Sequence, residues 1–548
     1  MPELKISIHQ TSPSVGDFDG NFEIIKSAYE QSLANDCDIA VFAEGTVHGY
    51  YAFDLLQSKD FLQSCENTIQ KIAELTTGNK TAIIVGSATL SNSTKSFNSV
   101  VVLMNGKIVY TNHKNAMADE GACIDSREFK SGDLNKPFEI NGVKIALPIC
   151  NDIWEQDVCK VAVQGSDLAI SINASPYNYG KLTLRHDVVK QRIDDFKIPF
   201  IYTHDVGGYD GVLNDGGSFA INTDKSLAMQ LPQFETATST IEYKDGVLSS
   251  NTNTPIAETD ENFAPTIWNA CCFGLKEYVR KNGFNGVVLG LSGGVDSAIT
   301  ATMAVDALGA ENVHTVMMPS PYTSQESLID AKALVDNLGI NYETINIEPM
   351  MNAFNESFSA IMQGTEKDTT EENIQARIRG SIVMALSNKF GYLALTTGNK
   401  SENAVGYATL YGDMCGGFNL IKDIYKTDVF KLCHWRNKSG EVIPQNIISK
   451  PPTAELRENQ TDQDSLPEYD ILDGILKCLI ENRMSINDTV KQGYDKDTVK
   501  KIWKLLNLAE YKRQQSAVGL KLTSCDFSYD RLYPISNSYT WHELKKDD

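Results

Sequence analysis

The sequence predicts an α/β protein of two domains, each with its own core. The chain has 548 residues, which is long for one domain and sufficient for two. Short β-branched runs alternate with stretches of helical periodicity in both halves. Around Leu248–Pro265 this alternation stops in a segment rich in Ser, Asn, Thr and acidic residues. We therefore predict domains at residues 1–250 and 265–548, joined by a linker at 251–264.

The first half is predicted to contain short strands with helices between some of them. Helical patterns cover Asn21–Leu33 and Glu66–Leu75, and Gly106-Lys107 between two apolar runs predicts a hairpin turn. The arrangement indicates stacked layers with both parallel and antiparallel strand pairs. The predicted strands are Leu4–Ile8, Ile39–Phe42, Thr81–Ser87, Ser99–Met104, Val143–Ile149, Leu168–Ile172 and Pro199–Tyr202.

The second half begins with a predicted helix at Thr266–Lys281 and continues as a regular repeat of strand and helix. Such alternation predicts an open, mostly parallel, doubly wound sheet with ligands at the carboxyl ends of its strands. The strands are predicted at Gly286–Leu291, His314–Met318, Tyr342–Ile347 and Tyr392–Thr396, and the helices near Ser297–Leu308, Ser324–Leu338 and Glu371–Lys389.

The composition of the chain argues against some classes of protein and some kinds of partner. The 71 acidic and 49 basic side chains give a formal charge of −22, which repels nucleic acid phosphates and argues against a nucleic acid partner. The start of the chain lacks the pattern of a signal peptide, and no apolar run reaches membrane-spanning length. The 11 cysteines are odd in number and form no CxxC pairs, so we expect free thiols, no zinc and a cytoplasmic location.

A glycine-rich segment in the second half carries the strongest chemical signal. Gly290-Leu291-Ser292-Gly293-Gly294-Val295-Asp296-Ser297 lies between an apolar strand and an Ala-rich helix. Its glycines allow a tight turn that brings backbone N–H groups against an anion, and the following helix adds its positive amino end. Ser292 and Ser297 provide further donors. Because Asp296 is itself anionic, it suits a Mg²⁺ ligand that bridges to phosphates.

Three other interpretations compete with an anion-binding loop at this segment. A Walker A loop is excluded, because Gly-Lys-Ser/Thr is absent. A nucleophile elbow matches through Gly290-Leu291-Ser292-Gly293-Gly294, with His542 at a plausible distance as its base. A glycine-rich turn without a ligand is the third possibility, which Asp296 and the two serines make less favourable.

The octapeptide resembles the pyrophosphate-binding loop of the ATP pyrophosphatases, which cleave ATP between its α- and β-phosphates. Later segments resemble the NAD synthetase members of that family, in order along the chain. These segments are Glu371-Glu372-Asn373-Ile374-Gln375-Ala376-Arg377, Thr397-Gly398-Asn399-Lys400-Ser401-Glu402, Gly406-Tyr407, Tyr411-Gly412-Asp413, Asp423-Ile424-Tyr425-Lys426-Thr427 and Pro452-Thr453-Ala454-Glu455-Leu456.

The resemblance implies an adenine nucleotide alpha hydrolase-like fold and a set of binding residues. Chemically, Lys426, Lys400 and Arg377 can neutralise phosphates and the pyrophosphate leaving group. Asp296 and Glu402 would hold Mg²⁺. ATP would be bound by Gly290, Leu291, Ser292, Gly293, Gly294, Val295, Asp296, Ser297, Thr397 and Lys426, and nicotinate adenine dinucleotide (deamido-NAD) by Asn373, Arg377, Glu402 and Lys521.

In the first half, a carboxylate, an amine and a thiol each follow a predicted strand. They are Glu44 in Val41-Phe42-Ala43-Glu44-Gly45, Lys114 after the strand Lys107–Tyr110, and Cys150 in Leu147-Pro148-Ile149-Cys150. Each alone is ordinary, because single cysteines are usually buried hydrophobes and charged residues at strand ends are usually solvated.

Together these residues resemble the Glu–Lys–Cys triad of the nitrilase superfamily. Asn173-Ala174-Ser175-Pro176-Tyr177, Val206-Gly207-Gly208 and Asp215-Gly216-Gly217-Ser218-Phe219 are similar to the glutaminase domain of NAD synthetases. The resemblance implies a nitrilase-like α-β-β-α sandwich. In it, Cys150 would attack the glutamine amide, Glu44 would act as base and then acid, and Lys114 would stabilise the oxyanion. Glutamine would be bound by Glu120, Ser175 and Lys181.

Two positions depart from the family pattern. Asn151 follows Cys150 where the family usually has Glu, and Met117-Ala118-Asp119-Glu120 replaces a usual Leu-Pro-Asn-Tyr. The missing Tyr is expected to contact glutamine, so these residues bear on the glutamine pocket. The triad is intact, and we expect activity.

Both resemblances predict the same reaction, the ATP-dependent amidation of deamido-NAD to NAD with ammonia from glutamine, through an adenylate. We expect ATP, deamido-NAD and glutamine as substrates, Mg²⁺ as cofactor, a protected path for ammonia, and a homo-oligomer. Two alternatives remain at this point. The chain could be another amidating ligase with the same loop, or its first half could be a structural module with a degenerate glutamine pocket.

Overall fold

A computed structural model describes residues 3–91, 93–134, 136–254, 262–458 and 460–545. The chain divides into two compact units, residues 1–260 and 261–548, called here the N-terminal and C-terminal units. Residues 255–261 of the predicted linker lie outside the described residues. The first helix of the C-terminal unit begins at Phe263, inside the range predicted as linker. Among the described residues, no helix is both long enough and apolar enough to cross a membrane.

Within its described residues, the N-terminal unit contains two large sheets, a two-stranded hairpin and five α-helices. The strands are β1 (Glu3–Gln10), β2 (Ile39–Val41), β3 (Ala82–Thr89), β4 (Phe97–Met104), β5 (Lys107–His113), β6 (Phe138–Ile140), β7 (Val143–Ala146), β8 (Leu168–Asn173), β9 (Phe200–His204), β10 (Val206–Tyr209), β11 (Val212–Asp215), β12 (Phe219–Ile221), β13 (Leu227–Gln230), β14 (Ala237–Lys244) and β15 (Val247–Ser249). The helices are α1 (Phe18–Ala34), α2 (Lys59–Leu75), α3 (Asp125–Glu128), α4 (Gln156–Ala162) and α5 (Lys181–Phe196).

These elements form an α-β-β-α sandwich, as predicted. One sheet has the order β15-β14-β1-β2-β3-β4-β5 and the other β13-β12-β9-β8-β7-β6. Alternate residues of each strand point inward, so that Ile6 and Ile8 of one sheet share a buried core with Ile170 and Ile201 of the other. On the outer faces, α1 and α2 cover the first sheet, and α4 and α5 cover the second. The strands from β10 to β15 were not predicted from the sequence.

The C-terminal unit is built around one parallel sheet. Its strands are β16 (Val287–Gly290), β17 (Val313–Met317), β18 (Asn341–Thr344), β19 (Leu393–Thr396), β20 (Phe418–Asn419) and β21 (Val518–Gly519). Its helices are α6 (Phe263–Asn282), α7 (Val295–Leu308), α8 (Gln325–Leu338), α9 (Glu348–Phe358), α10 (Thr369–Phe390), α11 (Lys400–Val405), α12 (Lys426–Arg436), α13 (Gln445–Ser449), α14 (Tyr469–Leu479), α15 (Ile486–Lys491), α16 (Lys496–Leu508), α17 (Glu510–Arg513) and α18 (Tyr539–Lys545).

The strand order of this sheet is β18-β17-β16-β19-β20-β21, and every neighbouring pair is parallel. The order reverses between β16 and β19, so the connections leave these two strands toward opposite faces. Such a switch point opens a crevice outside the carboxyl ends of the two strands. The doubly wound fold predicted for this half is confirmed, and the crevice is where its ligands are expected.

Candidate functional site

Three strand ends of the N-terminal unit bring Glu44, Lys114 and Cys150 together. Glu44 follows β2, Lys114 directly follows β5, and Cys150 follows β7 at the start of a 3₁₀ turn, Cys150–Ile153. The Lys114 Nζ lies 3.0 Å from the Glu44 Oε1, and both side chains are fully buried. The nitrilase-type spacing thus corresponds to a compact buried cluster.

Both carboxylate oxygens of Glu44 are held by the protein. The Asn98 side-chain amide donates to Oε1 at 2.7 Å, and the Ala174 backbone N–H donates to Oε2 at 2.9 Å. Burial raises the pKa of Glu44, while Lys114 and the hydrogen bonds oppose that shift. A carboxyl group with a raised pKa is suited to take up and return a proton.

Lys114 has a second carboxylate partner, which the sequence did not reveal. The Asp125 Oδ2 lies 2.7 Å from the Lys114 Nζ, and the Tyr50 hydroxyl donates to the Asp125 Oδ1 at 2.7 Å. Burial alone would lower the pKa of Lys114, but the charges of Asp125 and Glu44 hold it well above its ordinary value. Lys114 is therefore a fixed cation inside the protein.

Cys150 adopts a backbone conformation that is uncommon for a residue with a side chain, with φ of 45°. It is almost fully buried, and burial together with the charge of Glu44 raises the pKa of its thiol well above the ordinary value. Lys114 acts in the opposite direction. The resting side chain is consequently a thiol rather than a thiolate, and it needs a base to become nucleophilic.

The residues expected to bind glutamine lie in different surroundings. Ser175 is buried, and its backbone N–H lies 2.9 Å from the His204 Nε2. The Lys181 Nζ lies 4.6 Å from the centre of the Trp154 ring. Glu120 is exposed, and its carbonyl oxygen accepts the Cys123 backbone N–H at 3.1 Å.

The two departures from the family pattern contact each other. The side-chain amide of Asn151 donates to the Met117 carbonyl oxygen at 3.1 Å. The same segment is held from its other side, because the Ala118 N–H donates to the Asp125 Oδ2 at 2.9 Å. Residues 117–120 are thus fixed both to the residue after the nucleophile and to the partner of Lys114.

In the C-terminal unit, the loop of residues 290–297 leaves β16 and enters α7. Gly293 has φ of 78°, and a Cβ atom there would lie 2.4 Å from the Ser327 carbonyl oxygen, so only glycine fits. The Ser292 hydroxyl accepts the Gly294 N–H at 3.2 Å and lies 3.1 Å from the Ser297 hydroxyl. The loop is therefore ordered by its own side chains, and the helix amino end follows it.

Two carboxylates, Asp296 and Glu402, share a single lysine beside this loop. Lys426 pairs with Asp296 and lies 3.3 Å from the Glu402 Oε1, and the Asn399 amide donates to the Asp296 Oδ1 at 3.1 Å. Burial and the charge of Asp296 raise the pKa of Glu402. Within the described part of the chain, no group of three or more His, Cys, Asp and Glu side chains could hold a metal ion.

A cavity lies in the crevice between β16 and β19. The residues proposed to bind ATP line it, apart from Gly293, and Glu402 lines it as well. Three residues predicted to bind the dinucleotide, Asn373, Arg377 and Lys521, are not among those that line this cavity. Asn373 accepts the Thr409 hydroxyl at 2.8 Å.

The expectation that Lys400 faces the phosphates is wrong. Its side chain is fully buried, with the Nζ 2.8 Å from the Asp423 Oδ1 and 2.6 Å from the Glu481 Oε1. Lys521 is also buried and pairs with Asp530. The nucleophile-elbow alternative finds no support either, because His542 lies on α18 and does not line the cavity around Ser292.

Comparison with known proteins matches both units. Residues 5–248 match the carbon-nitrogen hydrolase family and residues 267–516 match the NAD synthase family. The glutamine-dependent NAD(+) synthetase of Rhodobacter capsulatus is 42% identical over 551 residues, which span 98% of this chain and 99% of that protein. The corresponding protein of Thermotoga maritima is 38% identical, again over 98% of this chain and 99% of that protein.

Two solved structures resemble the whole chain. The glutamine-dependent NAD+ synthetase of Acinetobacter baumannii, solved in complex with adenosine diphosphate, has 36% identity and a TM-score of 0.78, and covers 97% of this chain and 98% of that one. The glutamine-dependent NAD(+) synthetase of Cytophaga hutchinsonii has a TM-score of 0.84 with 22% identity and covers 100% of both chains, which shows that the fold is shared.

Proposed function

The chain belongs to the glutamine-dependent NAD(+) synthetase family, and on this premise we propose that it works through two reaction centres, one in each unit. It forms NAD with glutamine as the nitrogen source. The N-terminal centre releases ammonia from glutamine, and the C-terminal centre activates deamido-NAD with ATP. The observation that carries the proposal is the buried Glu44–Lys114 pair beside Cys150 in a chain that also has the 290–297 loop at a sheet switch point.

In the N-terminal centre, the Cys150 sulfur attacks the side-chain amide carbon of glutamine. Glu44 accepts the thiol proton and passes it to the departing ammonia, and Lys114 stabilises the tetrahedral oxyanion. Water then hydrolyses the thioester, giving glutamate and regenerating the thiol. The raised pKa of the thiol means that Cys150 needs a base, and the raised pKa of Glu44 suits that residue to accept the proton. Ser175 and Lys181 hold the amino-acid end of glutamine, and Glu120 is a further glutamine-binding residue.

In the C-terminal centre, the nicotinate carboxylate of deamido-NAD attacks the α-phosphate of ATP. The products are an adenylate and pyrophosphate, and ammonia then displaces AMP to give the amide. The amide groups of residues 290–297, together with Thr397 and Lys426, bind the ATP phosphates. Asn373, Arg377, Glu402 and Lys521 bind the dinucleotide. The adenosine diphosphate complex of the Acinetobacter baumannii protein supports ATP as the nucleotide.

The donor set at Asp296 and Glu402 fits Mg²⁺. Two partly buried carboxylates there share the one positive charge of Lys426, and desolvation together with the charge of Asp296 raises the pKa of Glu402. Mg²⁺ usually takes one or two protein carboxylates and completes its shell with water and substrate phosphates. Bound there, it would neutralise charge on the pyrophosphate leaving group. Lys426 pairs with both carboxylates and keeps them beside the 290–297 loop.

We also propose that the chain assembles into a homo-oligomer and works in the cytoplasm. Helix α9 has no buried residue, yet it presents Phe354, 41% exposed, and Phe358, 36% exposed, on one face. Ile361, just beyond the helix, is 78% exposed. An apolar face of this kind is typical of a surface covered by a second copy. All 11 cysteines are free, which supports a reducing compartment.

The test is to supply the purified protein with ATP, Mg²⁺ and deamido-NAD, together with either glutamine or ammonium chloride, and to quantify NAD, AMP and pyrophosphate. We expect equal amounts of the three products from both nitrogen sources. Cys150→Ala should lose only the glutamine route. NAD from ammonium alone would contradict the glutaminase centre, and no NAD from either source would contradict the whole proposal.

A further inference from the structure

Arg379 is a cation of the C-terminal cavity that lies two residues beyond the end of the motif at Arg377. It lies on α10, lines the cavity, and is partly buried. Its Nε donates to the carbonyl oxygen of Met318 at 3.1 Å, just beyond the carboxyl end of β17. This bond directs the remaining guanidinium N–H groups, which form a planar fork of donors.

Other cations at this cavity already have carboxylate partners. Lys426 pairs with Asp296 and Glu402, and the Lys450 Nζ lies 3.1 Å from the Asp330 Oδ2. In the described part of the chain, no carboxylate oxygen lies close enough to the guanidinium group of Arg379 to form an ion pair with it.

The electrostatic surroundings of Arg379 are unfavourable without an anion. Burial lowers its pKa to about 10, and the more distant charges of Glu455 and Asp413 offset this only in part. Removing a cation from water without a counter-ion is costly, so such a side chain on a cavity wall indicates an anionic ligand.

Helix geometry separates Arg379 from Arg377, which the sequence motif had singled out. Two positions along an α-helix correspond to a rotation of about 200°, so the two side chains leave α10 on opposite faces. Arg377 is exposed and donates to the Leu410 carbonyl oxygen at 3.2 Å, whereas Arg379 faces the cavity. The two arginines on this part of α10 therefore have different surroundings.

We propose that Arg379 binds a phosphate group of ATP. The proposal rests on the proposed function of the C-terminal unit and adds one residue to it. The cavity that Arg379 lines contains the 290–297 loop and Thr397, whereas Asn373, Arg377 and Lys521 do not line it. The phosphates of ATP rather than the pyrophosphate of the dinucleotide are therefore the nearer anions, and the planar guanidinium suits two parallel hydrogen bonds to phosphate oxygens.

The experiment compares Arg379→Met and Arg379→Lys with the unaltered full-length protein, using ammonium chloride as the nitrogen source. Lys389→Met, an exposed cation on the same helix, is the matched control. KM values for ATP and for deamido-NAD are measured separately, and isothermal titration calorimetry measures binding of ATP. Thermal unfolding verifies that each variant is folded.

We expect Arg379→Met to raise KM and Kd for ATP roughly ten- to hundredfold, the loss typical of a charged hydrogen bond. KM for deamido-NAD should stay within about twofold, and Arg379→Lys should recover part of the loss because it keeps the charge. An unchanged KM for ATP would overturn the proposal. So would an equal rise for both substrates, since that indicates a structural role through Met318, or a rise for the dinucleotide alone.

If Arg379→Met fails to fold, Arg379→Lys decides the question, because it keeps the charge and loses the fork. NAD formation by the unaltered protein tests the proposed function separately, so its failure is distinguishable from the failure of the Arg379 assignment.

Discussion

Glu44, Lys114 and Asp125 of the N-terminal unit are sealed against one another, whereas Asp296, Glu402 and Lys426 of the C-terminal unit border an open cavity. The first three side chains are at most 2% exposed, while Asp296 and Glu402 are 18% and 16% exposed. The difference follows from the proposed substrates. The side-chain amide of glutamine is neutral, so the charges of Glu44, Lys114 and Asp125 must balance one another. ATP and the dinucleotide bring several negative charges, which an open site can receive.

The largest expected effect tests whether the sealed cluster serves glutamine alone. Glu44→Gln keeps the shape of the side chain but removes the base, so glutamine-supported NAD formation should fall about 10²- to 10⁴-fold. Ammonium-supported formation should persist. Both rates are measured by NAD production, with Glu242→Gln on the exposed side of β14 as the matched control. Loss of both routes would show that the two centres are not chemically separate.

The second prediction compares the stability of the two clusters. Lys114→Met leaves Glu44 and Asp125 buried without a cation and should cost about 3–5 kcal/mol of unfolding free energy. Lys426→Met should cost less, on the order of 1–2 kcal/mol, because Asp296 and Glu402 reach the cavity and can be solvated. Differential scanning calorimetry of both variants checks the order. Equal losses would contradict the contrast between sealed and open clusters.

Only some features of these two clusters can be predicted from the sequence. Glu44, Lys114, Cys150 and the 290–297 loop follow strands, and strand ends meet at one edge of a sheet, so their convergence was predictable. Their hydrogen-bond partners were not. Asn98 and the Ala174 N–H reach Glu44 across 54 and 130 residues of chain, and no local pattern encodes such pairings.

The errors in the C-terminal unit have a related cause. A motif shows that a cation is present but not which way its side chain points. The motif therefore predicts Lys400 at the phosphates, although its side chain is buried between Asp423 and Glu481. The motif also ends at Arg377, before Arg379, whose side chain lines the cavity. The regular strand–helix repeat was predicted well because its periodicity is local, whereas the short strands β10 to β13 carry little periodicity of their own.

The third prediction concerns acid. Four histidines of the N-terminal unit are buried, and burial lowers the pKa of His9, His48 and His186 to about 4 and that of His204 to about 3. The unfolded chain binds protons below about pH 6.5 while these groups stay neutral in the folded state. The contribution of these histidines to the free energy of unfolding is therefore fully present above that pH. It declines as the pH falls toward 4, by about 2 kcal/mol for each group at pH 5.

His48 offers a direct check of that acid dependence. Neither of its ring nitrogens has a hydrogen-bond partner among the described residues, so His48→Leu should fold and retain its stability at pH 7.5. At pH 5 the variant should be more stable than the unaltered protein by about 2 kcal/mol, because one protonation site of the unfolded state is gone. Calorimetry at the two pH values measures this. Parallel pH profiles would rule out the histidine explanation.

The smallest effect is expected at the departure from the family pattern. Asn151→Ala removes the hydrogen bond to the Met117 carbonyl oxygen, which should raise KM for glutamine roughly two- to tenfold, in line with a loss of about 0.5–1.5 kcal/mol. Glutaminase kinetics measure the change, and Asn35→Ala at the exposed end of α1 is the control. An unchanged KM would mean that residues 117–120 keep their position without Asn151.

The backbone of Cys150 has a further consequence for how this protein can change. A left-handed conformation such as its φ of 45° costs roughly 1–2 kcal/mol for any residue with a Cβ atom, and glycine avoids that cost. At this position the residue that performs chemistry is therefore not the one that the backbone favours. A mutation of Cys150 to glycine would relieve the backbone strain but abolish the activity. Only continued selection for ammonia release therefore keeps a cysteine at this position.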